Sequence, residues 1–244
     1  MFGYEVFSEF YDKFMENVNY GARAEYVLSL FEKFGEKPSL MLDLGCGTGE
    51  FIKEFSKKGI ECIGADPSAE MLAVAREKCP DSLFLNQSGA ELDLYGTVDS
   101  AVCLMDTLNH ITEYDELCET ISKVSLFLEP GKLFVFDINT EYKHREVLAD
   151  NAFVFENDEI FCTWRNFTDS ELLTDIYLDF FKLSGNGMYE RSGEDFSEKA
   201  YSDEQLKSAL NLAGMEVLGI FGDMSNELPT HDEERVYYVA RKVK

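Results

Sequence analysis

Basic residues are scarce in this chain. Lys and Arg number 22 against 47 Asp and Glu in 244 residues, a formal net charge of −25. A negative field of that size repels phosphate backbones and anionic lipid. It disfavours nucleic-acid and membrane partners and suits a neutral or cationic small molecule. Cysteine is thinly spread. Cys46, Cys62, Cys79, Cys103, Cys118 and Cys162 form no CxxC pair, and no histidine stands at ligand spacing from them. That pattern predicts no metal site and fits a reducing compartment. Apolar runs long enough to span a membrane are missing, and residues 1–14 lack the basic start and apolar core of a secretion signal. The expectation is a cytoplasmic protein.

What is present is the material of a folded domain. Hydrophobic residues make up 45% of the chain and aromatics 14%. That suffices for one large domain, or one domain carrying an insertion. Residues 4–34 show two amphipathic helical patterns, the first through Phe7, Phe10, Tyr11 and Phe14, the second through Tyr26, Val27, Leu30, Phe31 and Phe34. Apolar strand-like runs then alternate with helical ones. Strands are expected at 40–44, 61–65, 82–85, 99–104 and 132–138, with helices beginning near Phe51, at Ser68 and at Glu113. This alternation predicts a mostly parallel sheet with helices on both faces.

The alternation breaks after Thr140. Runs at 153–155, 160–167, 172–183 and 188–191 read as successive strands without a long helix between them, so 141–201 is expected to be a small antiparallel insertion. A helix capped by Ser202 and two further strands, 216–221 and 235–243, complete the pattern. The expected domains are a core of 1–140 and 202–244 with an N-terminal helical cap, and a roof of 141–201.

Chemistry concentrates at Asp43-Leu44-Gly45-Cys46-Gly47-Thr48-Gly49, between a strand and a helix. Glycines there let the backbone turn sharply and let a ligand approach it closely. A dinucleotide loop asks for GxGxxG; here the run is GxGxG, and Glu50 would oppose a pyrophosphate at the helix start. A ligand without phosphates is preferred. Asp66, at the end of the second strand, can accept both hydroxyls of a ribose. His110 is a candidate general base, while His144 and His231 read as solvated.

The 42–49 and 64–68 runs resemble the first two motifs of class I S-adenosylmethionine-dependent methyltransferases, a Rossmann-like seven-stranded fold. The similarity extends along the chain through Tyr11-Asp12-Lys13-Phe14-Met15, Asp106-Thr107-Leu108-Asn109 and residues 129–134, which resemble a small bacterial subgroup. The resemblance implies S-adenosyl-L-methionine as methyl donor. It places the backbone of Gly45, Cys46 and Gly47 against the methionine part, Asp66 on the ribose, and Pro67 and Met71 beside the adenine. Ser88 stands where the family often has Asp, leaving adenine recognition to Gln87, Ser88 and Gly89. Met105 and Asp106 would reach the methionyl end, and Tyr11 would close over the site.

The subgroup's antiparallel roof covers the acceptor, which makes Trp164, Tyr177 and Tyr189, with Asn109, candidate substrate contacts. If the acceptor must lose a proton, Asp106 and Asp137 at strand ends are candidate bases. The implied reaction is methyl transfer to an N, O or S nucleophile of a small molecule. An RNA or protein methyltransferase and a non-catalytic cofactor-binding module are the competing readings.

Overall fold

The computed structural model describes residues 18–156, 160–185 and 187–243. The expected first helix, and Tyr11 with it, lies outside the described residues. Helix α1 (Tyr20–Lys33) leads into β1 (Leu40–Leu44), α2 (Glu50–Lys57), β2 (Glu61–Asp66), α3 (Ala69–Lys78), β3 (Leu83–Asn86) and β4 (Val98–Cys103). There follow α4 (Tyr114–Phe127) and β5 (Leu128–Asn139). The insertion carries β6 (Ala152–Glu156), β7 (Ile160–Thr168), β8 (Leu173–Leu183) and β9 (Tyr189–Lys199). Helix α5 (Asp203–Leu212), β10 (Met215–Gly222) and β11 (Arg235–Lys242) close the fold.

Seven strands form one sheet in the order β10-β11-β5-β4-β1-β2-β3. β1, β2, β3, β4 and β5 run parallel, and β11 is antiparallel to both β5 and β10. Alternate residues of each strand enter opposite cores. In β1, Leu42 and Leu44 join a cluster with α4 and α5, while Met41 joins one with α1, α2 and α3. Burial on both faces is what requires the near-continuous apolar runs seen in the sequence. The direction of strand progression reverses between β1 and β4, which opens a crevice at their C-terminal ends.

The insertion forms a second, four-stranded antiparallel sheet in the order β6-β7-β8-β9. Two features of it were not legible beforehand. β9 runs on to Lys199, through a polar stretch whose alternation has few apolar residues to mark it. A π-helical turn, Lys143–Leu148, precedes the sheet and buries His144 completely, which corrects the solvated reading of that residue. The roof is fastened at the C-terminal ends of β4 and β5. Asn109 Nδ2 donates to the carbonyls of Asn139 (3.1 Å) and Lys199 (2.9 Å), and Asn109 Oδ1 accepts from Asn139 N–H (2.9 Å).

Candidate active site

A cavity of about 300 Å³ occupies the crevice. Its floor is the β1–α2 loop. Gly45, Gly47 and Gly49 have φ of +73°, +51° and +80°, left-handed values that side chains with a Cβ rarely adopt. At Gly45 a Cβ would lie 2.2 Å from Thr107 Cγ2, so the loop is pressed against the segment after β4. At Gly47 a Cβ would meet nothing within 4 Å: the backbone faces open space on the cavity side.

Asp66 lines the cavity beside this loop. One carboxylate oxygen accepts from Gly47 N–H (2.9 Å) and the other from Ser68 N–H (2.9 Å). Burial pushes its pKa up, while those two donors and His110 oppose the rise. Ser68, not Asp66, caps α3, accepting from Met71 N–H (3.2 Å). Asn86 Nδ2 donates to the carbonyls of Asp66 and Pro67 and fixes the β2–α3 turn.

Of the expected cofactor residues, Gly45, Cys46, Gly47, Asp66, Pro67, Met71, Gln87, Ser88, Gly89 and Met105 line this one cavity. Asp106 stands just behind it. The far end differs from expectation. The Ser88 hydroxyl donates to Glu91 (3.0 Å), and Gln87 Oε1 accepts from Asp93 N–H (3.1 Å), so both serve their own loop. Thr120 of α4 also lines the cavity, and its buried hydroxyl has no hydrogen-bond partner among the described residues. The signal was available: Thr120 interrupts an otherwise apolar stripe of Leu117, Ile121 and Val124.

Behind the cavity lies a charged network joining distant parts of the chain. Arg235 of β11 forks between Asp106 (2.7 Å) and Asp137. Asp137 also accepts from Met105 N–H (2.9 Å) and Asp106 N–H (2.7 Å). Asn139 Nδ2 bridges Asp106 and Glu198 of the roof, 3.0 Å to each. These contacts surround both expected bases. Burial pushes Asp106 up, but Arg235, Lys143 and His110 outweigh it and hold the carboxyl below its ordinary range. Asp137 is fully buried, and burial pushes its carboxyl up; Arg235 and the Asp106 and Met105 amides oppose the rise, while the Asp106 carboxylate adds to it. Neither lines the cavity.

His110 does line the cavity, with its ring 5.2 Å from that of Phe196 of the roof. Asp106, His110 and Glu198 offer ligand atoms all within 4.8 Å of one another. For a metal ion the set is poor, because Asn139 Nδ2 and Arg235 already occupy carboxylate lone pairs. Burial, and then Asp106, push the Glu198 carboxyl up, so its ionised form gains from a cation nearby.

The expected substrate contacts scatter. Asn109 is wholly buried in the staple between core and roof. Trp164 lies on the inner face of the roof among Phe153 and Phe155, and its indole N–H donates to Asn166. Tyr177 and Tyr189 point the other way, since register puts them opposite Asp195 and Leu183 on the outer face. Tyr177 packs there on Phe167 and Arg165. Glu198 and Arg235, which complete the network, carried no local motif.

Comparison with known proteins agrees with this geometry. Residues 41–131 match the family model described as a methyltransferase domain. A Geobacillus sp. (strain WCH70) protein that bears a methyltransferase name is 32% identical, over 98% of this chain and 99% of that one. The chain is a class I S-adenosylmethionine-dependent methyltransferase. The crystal structure of an S-adenosylmethionine-dependent methyltransferase from Clostridium acetobutylicum ATCC 824 superposes with a TM-score of 0.88 at 29% identity, covering 98% of each chain. A Streptomyces venezuelae enzyme, dTDP-3-amino-3,4,6-trideoxy-alpha-D-glucopyranose N,N-dimethyltransferase, is 26% identical over 55% of this chain and 58% of its own.

S-adenosylmethionine is the methyl donor, and the cavity of this methyltransferase suits it. The glycine loop after β1 and the Asp66 carboxylate at the end of β2 both line the cavity. Among the described residues no helix is long and apolar enough to cross a membrane.

Proposed function

We propose that this methyltransferase methylates the nitrogen of a small-molecule amine. The observation that carries this reading is the cluster of Asp106, His110 and Glu198 beside the cofactor cavity. A buried carboxylate whose ionisation is opposed by its surroundings recognises an ammonium better than a neutral alcohol or thiol. The net charge of −25 favours the same class. The amino-sugar N,N-dimethyltransferase among the relatives supports it.

When bound, S-adenosylmethionine supplies a methyl group already activated by its sulfonium. The protein then has to bring an unprotonated nitrogen into line with it, and alignment of this kind can lower a barrier by about 7–11 kcal/mol. Glu198 and Asp106, behind the cavity, favour a cationic amine through their field and not by direct contact. His110 receives its proton, a transfer to which imidazole is suited near neutral pH. Residues 141–201 act as the roof that excludes water and delivers Glu198, over a core of 1–140 and 202–244. Gly45, Cys46, Gly47, Asp66, Pro67, Met71, Gly89 and Met105 form the donor site.

The test is a panel of small amines, phenols, thiols and an RNA, each incubated with the donor and read by mass spectrometry. Methylated amines are expected, with turnover reduced about 100-fold or more in His110→Ala, the range typical of general-base loss. Products confined to oxygen, sulfur or RNA would overturn the amine assignment.

A further inference from the structure

Met105 and Asp106 are consecutive non-glycine residues with φ of +57° and +56°. Each such conformation costs about 1–3 kcal/mol and persists only where the surroundings impose it. The constraint here is visible. On one side Thr107 is packed into the space left by Gly45, with no room for a Cβ between them. On the other side Asp137 holds both strained amides, at 2.9 and 2.7 Å. Asp137 is held in turn by Arg235, whose second arm grips the Asp106 side chain at 2.7 Å. Arg235 thus touches both carboxylates governing the turn. It is buried, lies on β11 129 positions beyond Asp106, and does not line the cavity.

We propose that Arg235 is a positioning residue for methyl transfer. By clamping Asp106 and Asp137 together it keeps the left-handed Met105–Asp106 turn pressed toward the methionyl end of the cofactor. Through Asn139 it also sets that turn against Glu198 of the roof. A planar guanidinium can hold two carboxylates in a fixed fork; an ammonium is a single point and cannot reproduce that geometry. The proposal rests on the assignment of this cavity to S-adenosylmethionine and is independent of the acceptor's chemistry.

The experiment measures binding, without turnover. Wild type, Arg235→Lys and Asp137→Asn are titrated calorimetrically with S-adenosylhomocysteine and with 5′-methylthioadenosine, which lacks the amino-acid part. Arg235→Lys keeps the positive charge but loses the fork. Asp137→Asn keeps the shape but can no longer accept both amides. Thermal melts establish that each variant is folded. In at least one folded variant, affinity for S-adenosylhomocysteine should fall about tenfold while affinity for 5′-methylthioadenosine changes about twofold or less. Equal losses for both ligands would make Arg235 a purely structural ion pair, and so would unchanged affinity. Loss of folding in both variants would also overturn the positioning role, by showing the network to be needed for the fold itself. Failure of wild type to bind either ligand would instead refute the cofactor site on which the proposal rests.

Discussion

Thr120 shows how a single buried atom can separate stability from binding. Its hydroxyl is buried and has no hydrogen-bond partner among the described residues. An unmet buried hydrogen-bonding group costs about 1–3 kcal/mol. Thr120→Val removes that group at nearly constant volume, so the unliganded protein should become more stable by about 1 kcal/mol, read from denaturant midpoints. If the hydroxyl meets the adenine ring, affinity for S-adenosylhomocysteine should fall several-fold in the same variant. A variant that is both more stable and equally tight would exclude Thr120 from the cofactor site. At this scale the sequence was informative where chemistry is local. Gly45, Gly47 and Asp66 could be read because their spacing places them at strand ends. Glu198 and Arg235 could not, because their partners are 59 to 129 positions away.

The β1–α2 loop is the element on which the site depends, and two glycines within it serve different needs. At Gly45 an added methyl meets Thr107 at 2.2 Å and the backbone has φ of +73°. Gly45→Ala should therefore cost about 2–5 kcal/mol of stability, from strain and overpacking together. At Gly47 the space is open and only the backbone preference is lost, about 1–2 kcal/mol. There the methyl intrudes on the ligand, so Gly47→Ala should harm cofactor affinity more than folding. Denaturation and calorimetry on the two variants check the contrast; equal stability losses would contradict it. Among elements, the core strands were legible because burial on both faces demands continuous apolar runs. β9 was cut short because one of its faces is largely solvated and polar, and the π-turn has no periodic signature at all.

His144 joins elements into a whole-molecule property. It sits with Nδ1 2.8 Å from Thr174 Oγ1 and Nε2 3.8 Å from Glu198, without exposure. Burial, and then Lys143, lower its pKa to about 4 from an ordinary 6.5. Between those values the unfolded chain binds a proton that the folded chain refuses. The His144 contribution to stability is therefore present above about pH 6.5 and is lost as pH falls toward about 4. The stability difference between wild type and His144→Gln should shift toward wild type as pH rises through that window. Parallel curves from pH 4 to 7 would show that His144 does not titrate on unfolding.

The amino-acid sequence by itself determined the layered α/β core, the glycine loop and the cofactor class. Each depends on hydrophobic period or on backbone chemistry carried by a few adjacent residues. Only the tertiary structure decided which side chains meet behind the cavity. It drew Asp106, Asn139, Glu198 and Arg235 from four separate elements into one buried network, and it turned Tyr177 away from the cavity. The physical reason is that periodicity specifies which face of an element is buried, whereas the meeting of polar groups from separate elements is settled only when those faces pack together.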